Sequence, residues 1–146
     1  MAPQVKLIYF DLFGRAEAIR MLLAAGKVEY EDCRLTSEEW KTIKPTTPFG
    51  GVPVLHWDGE EIPQANTILR FVAKNCGLDG KDDIECARAD SILEHCNELF
   101  IALGQLRSTK SQDLRVKQAF TFLGETLPAW LGLSSSHVSL TTNTIN

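Results

Sequence analysis

The order of apolar and polar side chains divides the chain into short alternating segments followed by long stretches of helical period. Over Val5–Phe10, Leu7 and Tyr9 alternate with Lys6 and Ile8, which predicts a strand. Residues 16–25 carry Ile19, Leu22 and Leu23 at helical spacing, with Arg15, Glu17 and Arg20 off that face. Gly26 closes this segment as a helix C-cap does. Alternation returns over residues 29–35 and predicts a second strand. Thr36-Ser37-Glu38-Glu39 then reads as a helix start with acid in its first turn, and Pro45 and Pro48 stop that helix early. Val54–Trp57 and Glu61–Ile62 read as two strands joined tightly at Asp58-Gly59, a favoured hairpin dipeptide. A helix over residues 65–75 turns Ile68, Leu69 and Val72 inward and ends at Gly77. The order is β-α-β-α-β-β-α, and its opening β-α-β favours parallel strands with a right-handed crossover.

Leu78–Asp82 is a linker, and the pattern beyond it is helical. Ile92, Cys96, Leu99, Leu103 and Leu106 recur at spacings of four and three, one apolar stripe of a long helix that Leu93 and Phe100 widen. A further helix is expected over residues 112–127, with Leu114, Ala119, Phe122 and Leu123 apolar and Pro128 ending it. After Glu125 no charged residue follows, and residues 131–146 are rich in Ser, Thr and Asn without a clear period. The expected organisation is an α/β domain over residues 1–79, a partial all-α domain over 82–130 and a disordered tail over 131–146.

Composition narrows the function classes. A net charge of −4 argues against nucleic acid as the main partner, and no apolar run approaches a membrane span. The N-terminus lacks the pattern of a cleavable secretion signal. Cys33, Cys76, Cys86 and Cys96 form no C-x-x-C motif, so they are expected as reduced thiols of a cytoplasmic protein, with no metal site.

The chemistry concentrates around residues 48–70. A proline heading the apolar run Val52-Pro53-Val54-Leu55 marks a strand start or a bent peptide. A cis bond there would turn the Val52 backbone groups outward to pair with another peptide. Gln64-Ala65-Asn66 opens a helix whose first N–H groups can hold an anion. Together these suggest a site for a small peptide bearing a carboxylate. Tyr9 ends the first strand, where its phenol can donate a hydrogen bond that favours a thiolate. Taken alone, its position favours the plainer reading, a half-buried strand tyrosine. Arg15 can reach a carboxylate or that phenol, although taken alone it reads better as a surface arginine. Trp40 and Lys44 share a helix face and offer an indole N–H and a cation to an anion. No acid pair, nucleophile triad or phosphate loop is present.

Four stretches together resemble the cytosolic glutathione transferases, and most of all their sigma class: YFDLFGRAEAIR, YEDCRL, EEWKTIKPTTPFGGVPVL and IPQANTILRFVAKNCGLDGK. The likeness weakens beyond them and fades near Trp130. The resemblance implies an α/β, thioredoxin-like N-terminal domain followed by an incomplete all-α C-terminal domain. It implies a transferase with glutathione as cosubstrate, detoxifying electrophilic or hydrophobic small molecules, with isomerase or peroxidase chemistry as variants. A cytoplasmic homodimer is implied, with no nucleic acid or membrane partner. Tyr9 would activate the glutathione thiol and Arg15 would support it. Trp40, Lys44 and Gly51 would meet the glycine end, Val52 and Pro53 the cysteinyl backbone, and Gln64 and Ala65 the γ-glutamyl end. At Ala65 the family usually carries Ser, and losing that hydrogen bond to a charged group weakens binding by roughly 1.5–3 kcal/mol. Phe13 and Gly51 also depart from the family pattern. These departures support an alternative, a non-catalytic relative of S-crystallin type or a short form that binds glutathione or a full-length subunit. A thioredoxin-type reductase needs a cysteine in the first loop, and Asp11–Arg15 has none.

Overall fold

The computed structural model describes residues 2–142 and divides the chain into two compact units, Met1–Asp83 and Ile84–Asn146. In the first unit the predicted order is met element by element. Strands β1 (Val5–Phe10), β2 (Glu31–Leu35), β3 (Val54–Trp57) and β4 (Glu60–Pro63) form one sheet in the order β2-β1-β3-β4. β1 and β2 run parallel, as the opening β-α-β requires, while β3 and β4 are antiparallel to their neighbours. The β3–β4 hairpin turns at Asp58 and Gly59, both at positive φ (51° and 89°), the conformation that suits a two-residue hairpin. Asp58 also ties down the N-terminus, its Oδ1 accepting from the Gln4 N–H at 2.8 Å.

Helices α1 (Glu17–Ala25), α2 (Ser37–Ile43) and α3 (Ala65–Cys76) complete this unit. The core lies where α1 and α3 cover the sheet. Leu7, Leu55, Ile19, Leu23, Ile68 and Val72 are fully buried there. Each such side chain contributes roughly 1.5–3 kcal/mol of burial. Gly26 ends α1 against Cys76 at the end of α3, and a side chain at position 26 would run into the cysteine.

Arg20 departs from its expected place. It reads as part of the polar side of α1, yet it is buried, with its guanidinium paired to Asp32 and Glu17. Its partners come from β2 and from one turn earlier in the helix, so the burial is compensated by charge.

The second unit comprises α4 (Asp83–Ser108), α5 (Gln112–Thr121) and α6 (Leu127–Thr142). The expected stripe of α4 is half-buried along its length, and Trp130 stacks on His95 with centroids 4.9 Å apart. The Trp130 indole N–H also donates to the His95 carbonyl at 3.0 Å. Among the described residues of this unit none is fully buried, and Ile101, Val116, Phe120 and Leu123 are exposed.

Two expectations fail here. Pro128 does not end the helical run, because a π-turn over Phe122–Thr126 precedes it. The Leu127 N–H reaches back to the Phe122 carbonyl, a wider turn that makes room for a proline ring which would otherwise strike the carbonyl four residues earlier. Residues 131–142, expected as disordered tail, continue α6 instead, whereas 143–146 lie outside the described residues. Polar composition does not forbid this helix. The Ser134 hydroxyl donates to the Trp130 carbonyl at 2.9 Å, satisfying itself within the helix.

Candidate functional site

Strand register decides which predicted residues meet. β1 and β3 pair Ile8 with Val54 and Leu7 with Leu55, so continuing the register sets Tyr9 beside Pro53. β3 and β4 pair Val54 with Pro63, which by the same continuation sets Gln64 beside Pro53. On the other side, β1 and β2 pair Phe10 with Leu35, and the chain then enters α2. The Phe10 ring meets Trp40 of that helix edge-on, with centroids 5.4 Å apart. One end of the sheet therefore collects Tyr9, Val52, Pro53, Gln64 and Trp40, residues up to 55 positions apart in the chain.

Tyr9 is 8% exposed, its ring in the core and its oxygen against the first loop. The Arg15 backbone N–H donates to the Tyr9 oxygen at 3.2 Å. That contact requires Gly14. It sits at φ +44°, and a Cβ on it would lie 2.6 Å from the Tyr9 oxygen and 2.6 Å from Leu12 Cδ1. Sequence reading selected Arg15 for its side chain and passed over Gly14. A glycine beside a loop is a common signal, and only the fold shows what approaches it. The Tyr9 oxygen already accepts from a backbone donor, so its own proton remains to be donated outward.

The Val52–Pro53 bond is cis, the possibility raised by a proline at the head of the run. Pro53 is buried, while Gly51 and Val52 are half-exposed just before β3 begins. Gln64 occupies the N-cap of α3 at φ +72°, an uncommon conformation for a residue with a side chain. The Gln64 side chain makes no cap bond, and the start of this helix has the character of an anion site, with Ala65 buried at its first position.

Trp40 and Lys44 share a face, as their spacing predicts, with the Lys44 ammonium 5.9 Å from the indole centroid. Lys44 follows α2 on a 3₁₀ turn and is exposed. The helix that carries Trp40 is fixed by a capping box. The Thr36 hydroxyl accepts from the Glu39 N–H at 3.3 Å, and the Glu39 carboxylate accepts from the Thr36 N–H at 2.7 Å. The bonds from Thr36 hold the Glu39 carboxyl below its ordinary range. Among the described residues no cluster of His, Cys, Asp or Glu could hold a metal ion, and no helix is long and apolar enough to cross a membrane.

A mixed four-stranded sheet with a cis proline at one end and helices against it is a thioredoxin-like domain, here followed by a helical unit. Residues 5–74 match the family described as glutathione S-transferase, N-terminal domain. Glutathione S-transferase 4 of Caenorhabditis elegans is 44% identical over 107 residues, covering 73% of this chain and 52% of that protein. The solved prostaglandin synthase D of Nilaparvata lugens superposes with a TM-score of 0.88 at 33% identity, covering 93% of this chain and 68% of that one. A sigma-class glutathione transferase of Fasciola hepatica superposes at 0.79 with 32% identity, covering 92% of this chain and 66% of that one. The chain belongs to the glutathione S-transferase family. It spans about half the length of the first curated relatives it matches, 52% and 57%.

Proposed function

We propose that this chain binds glutathione at the end of the sheet and conjugates it, through its thiolate sulfur, to electrophilic small molecules. The observation that carries this reading is the Tyr9 hydroxyl, fixed by the Arg15 N–H at 3.2 Å at the same sheet end as the cis Val52–Pro53 edge. Backbone groups of Val52 are suited to pair with the cysteinyl residue of a tripeptide. The start of α3, with Gln64 and Ala65, suits the γ-glutamyl carboxylate. Trp40 and Lys44 suit the glycine carboxylate.

Such a placement sets the cysteinyl sulfur against Tyr9. The phenol donates to the sulfur and favours its ionised form, and the thiol proton leaves to solvent. The thiolate then attacks an electrophilic carbon. A C–S bond forms, and the leaving group departs with the bonding pair. Arg15 contributes through its backbone, because its N–H polarises the phenol toward donation. The family setting supports a cytoplasmic homodimer acting in detoxification, and the name of the Nilaparvata relative supports isomerase chemistry as a variant.

Tyr9→Phe is the decisive variant. Conjugation of a chlorodinitrobenzene-type substrate falls about 100-fold in kcat/KM, within the range for losing a positioned proton donor. Unchanged turnover removes Tyr9 from the mechanism. The exposed apolar side chains of the second unit favour one other reading, a relative that binds glutathione without turnover. Calorimetric binding in the absence of conjugation distinguishes the two.

A further inference from the structure

The buried guanidinium of Arg20 stands in a line of charges that begins and ends on the loop between β1 and α1. Asp11 of that loop accepts from Arg34 Nη1 at 2.7 Å. Arg34 Nε donates to Asp32 at 2.8 Å. Asp32 accepts from Arg20 Nε through both carboxylate oxygens, at 3.2 and 3.1 Å. Arg20 Nη1 then returns to the loop, donating to the Leu12 carbonyl at 2.9 Å and to Glu17 at 3.0 Å. The loop is thus tied to β2 at Asp11 and to α1 at Leu12.

Other backbone bonds fix its remaining peptides. The Leu12 N–H donates to the Phe10 carbonyl at 2.8 Å, and the Phe13 carbonyl accepts from the Glu17 N–H at 3.0 Å. Gly14 then turns the Arg15 N–H onto the Tyr9 oxygen. Every peptide between the strand and Arg15 is held, and the Arg20 fork supplies a buried side-chain donor to this stretch of backbone. Only a planar fork can serve Asp32 with one nitrogen and the Leu12 carbonyl with another.

We infer that the Arg20–Asp32 pair is a positioning device for the Tyr9 hydroxyl, acting through the Leu12 carbonyl and the Arg15 N–H. It deepens the proposed function, since a displaced donor no longer favours the thiolate. The loop geometry itself stands independently of what the site binds. Arg20 and Asp32 touch neither the substrate position nor the reacting sulfur, so their effect reaches the chemistry only through the loop.

Amide hydrogen exchange on the full chain tests this, comparing Arg20→Lys and Asp32→Asn with the native protein. The Arg15 amide exchanges about tenfold faster in both variants, while the Leu7 and Leu55 amides of the sheet change far less. In parallel, the thiolate absorbance of bound glutathione titrates about one pH unit higher. Binding of S-methylglutathione, which has no thiol to ionise, stays within about twofold. Exchange of Arg15 and Leu7 accelerating together makes the pair a general stabiliser and overturns the inference, as does an unchanged Arg15 amide. If Arg20→Lys does not fold, Asp11→Asn at the exposed end of the line gives a smaller acceleration of the same amide, and no acceleration there overturns the inference. Should the native chain bind no glutathione, the functional reading fails while the exchange comparison still decides the role of the pair.

Discussion

Gly14 shows how much one residue without a side chain can decide. Its φ of +44° already costs a side-chain-bearing residue about 1–3 kcal/mol, and the Cβ would overlap both the Tyr9 oxygen and Leu12. Gly14→Ala therefore lowers stability in urea unfolding by at least about 1–3 kcal/mol. The same change pushes the phenol and the Arg15 N–H apart, so the conjugation proposed above falls with it even at temperatures where the variant is folded. A variant with native stability and native turnover contradicts the contact. Arg20 and Gly14 were both illegible beforehand, for different reasons. An arginine on a helix is ordinarily a surface residue, and the carboxylate that buries this one arrives from β2, twelve positions on. A glycine reports only that a backbone freedom is available, and the tyrosine it accommodates is seen once the loop closes.

At the scale of elements, the short helix α2 sets Trp40 against Phe10 beside the candidate site and depends on its capping box. Glu39 has its carboxyl pKa lowered, first by the bond from the Thr36 backbone and then by the Thr36 hydroxyl. A depressed carboxyl contributes its stabilisation fully above its unfolded pKa and loses it as pH falls through the folded value. Helix α2 therefore loosens on acidification below the ordinary glutamate range. Exchange of the Trp40 amide, which donates to the Thr36 carbonyl at 3.0 Å, accelerates there ahead of the sheet amides. Thr36→Ala produces the same acceleration at neutral pH, and a Trp40 amide indifferent to both refutes the role of the box. This helix was legible because its signals are local: a Thr, then Glu three residues on, then two prolines. The strands and the Asp58-Gly59 turn were legible for the same reason. The π-turn before Pro128 was not, since a proline ordinarily marks a helix end and the widened turn leaves no pattern of its own. Nor was α6, whose run of small hydroxyl residues lacks period and charge but can hydrogen-bond within a helix.

Burial is divided unequally between the two units, and that inequality predicts how each behaves. Every fully buried apolar side chain among the described residues lies before position 73, in the first unit. The second unit has half-buried stripes and exposes Phe120, Leu123, Val116 and Ile101. A polypeptide of residues 1–83 therefore keeps a complete core of its own, and we expect it to unfold cooperatively in urea. Ile68→Ala, which empties a fully buried position between α3 and the sheet, costs that fragment about 2–5 kcal/mol. The same substitution costs the full chain a similar amount if the core of the first unit is self-sufficient. The exposed apolar residues of the second unit act in the opposite direction, toward association. Phe120, 74% exposed on α5, is the sharpest probe, since its removal opens no cavity. Phe120→Ser lowers the tendency of the full chain to self-associate in sedimentation velocity and leaves the urea midpoint of the first unit in place. A fragment of residues 1–83 that fails to fold, or an Ile68→Ala cost that appears only in the full chain, shows instead that the helical unit completes the core.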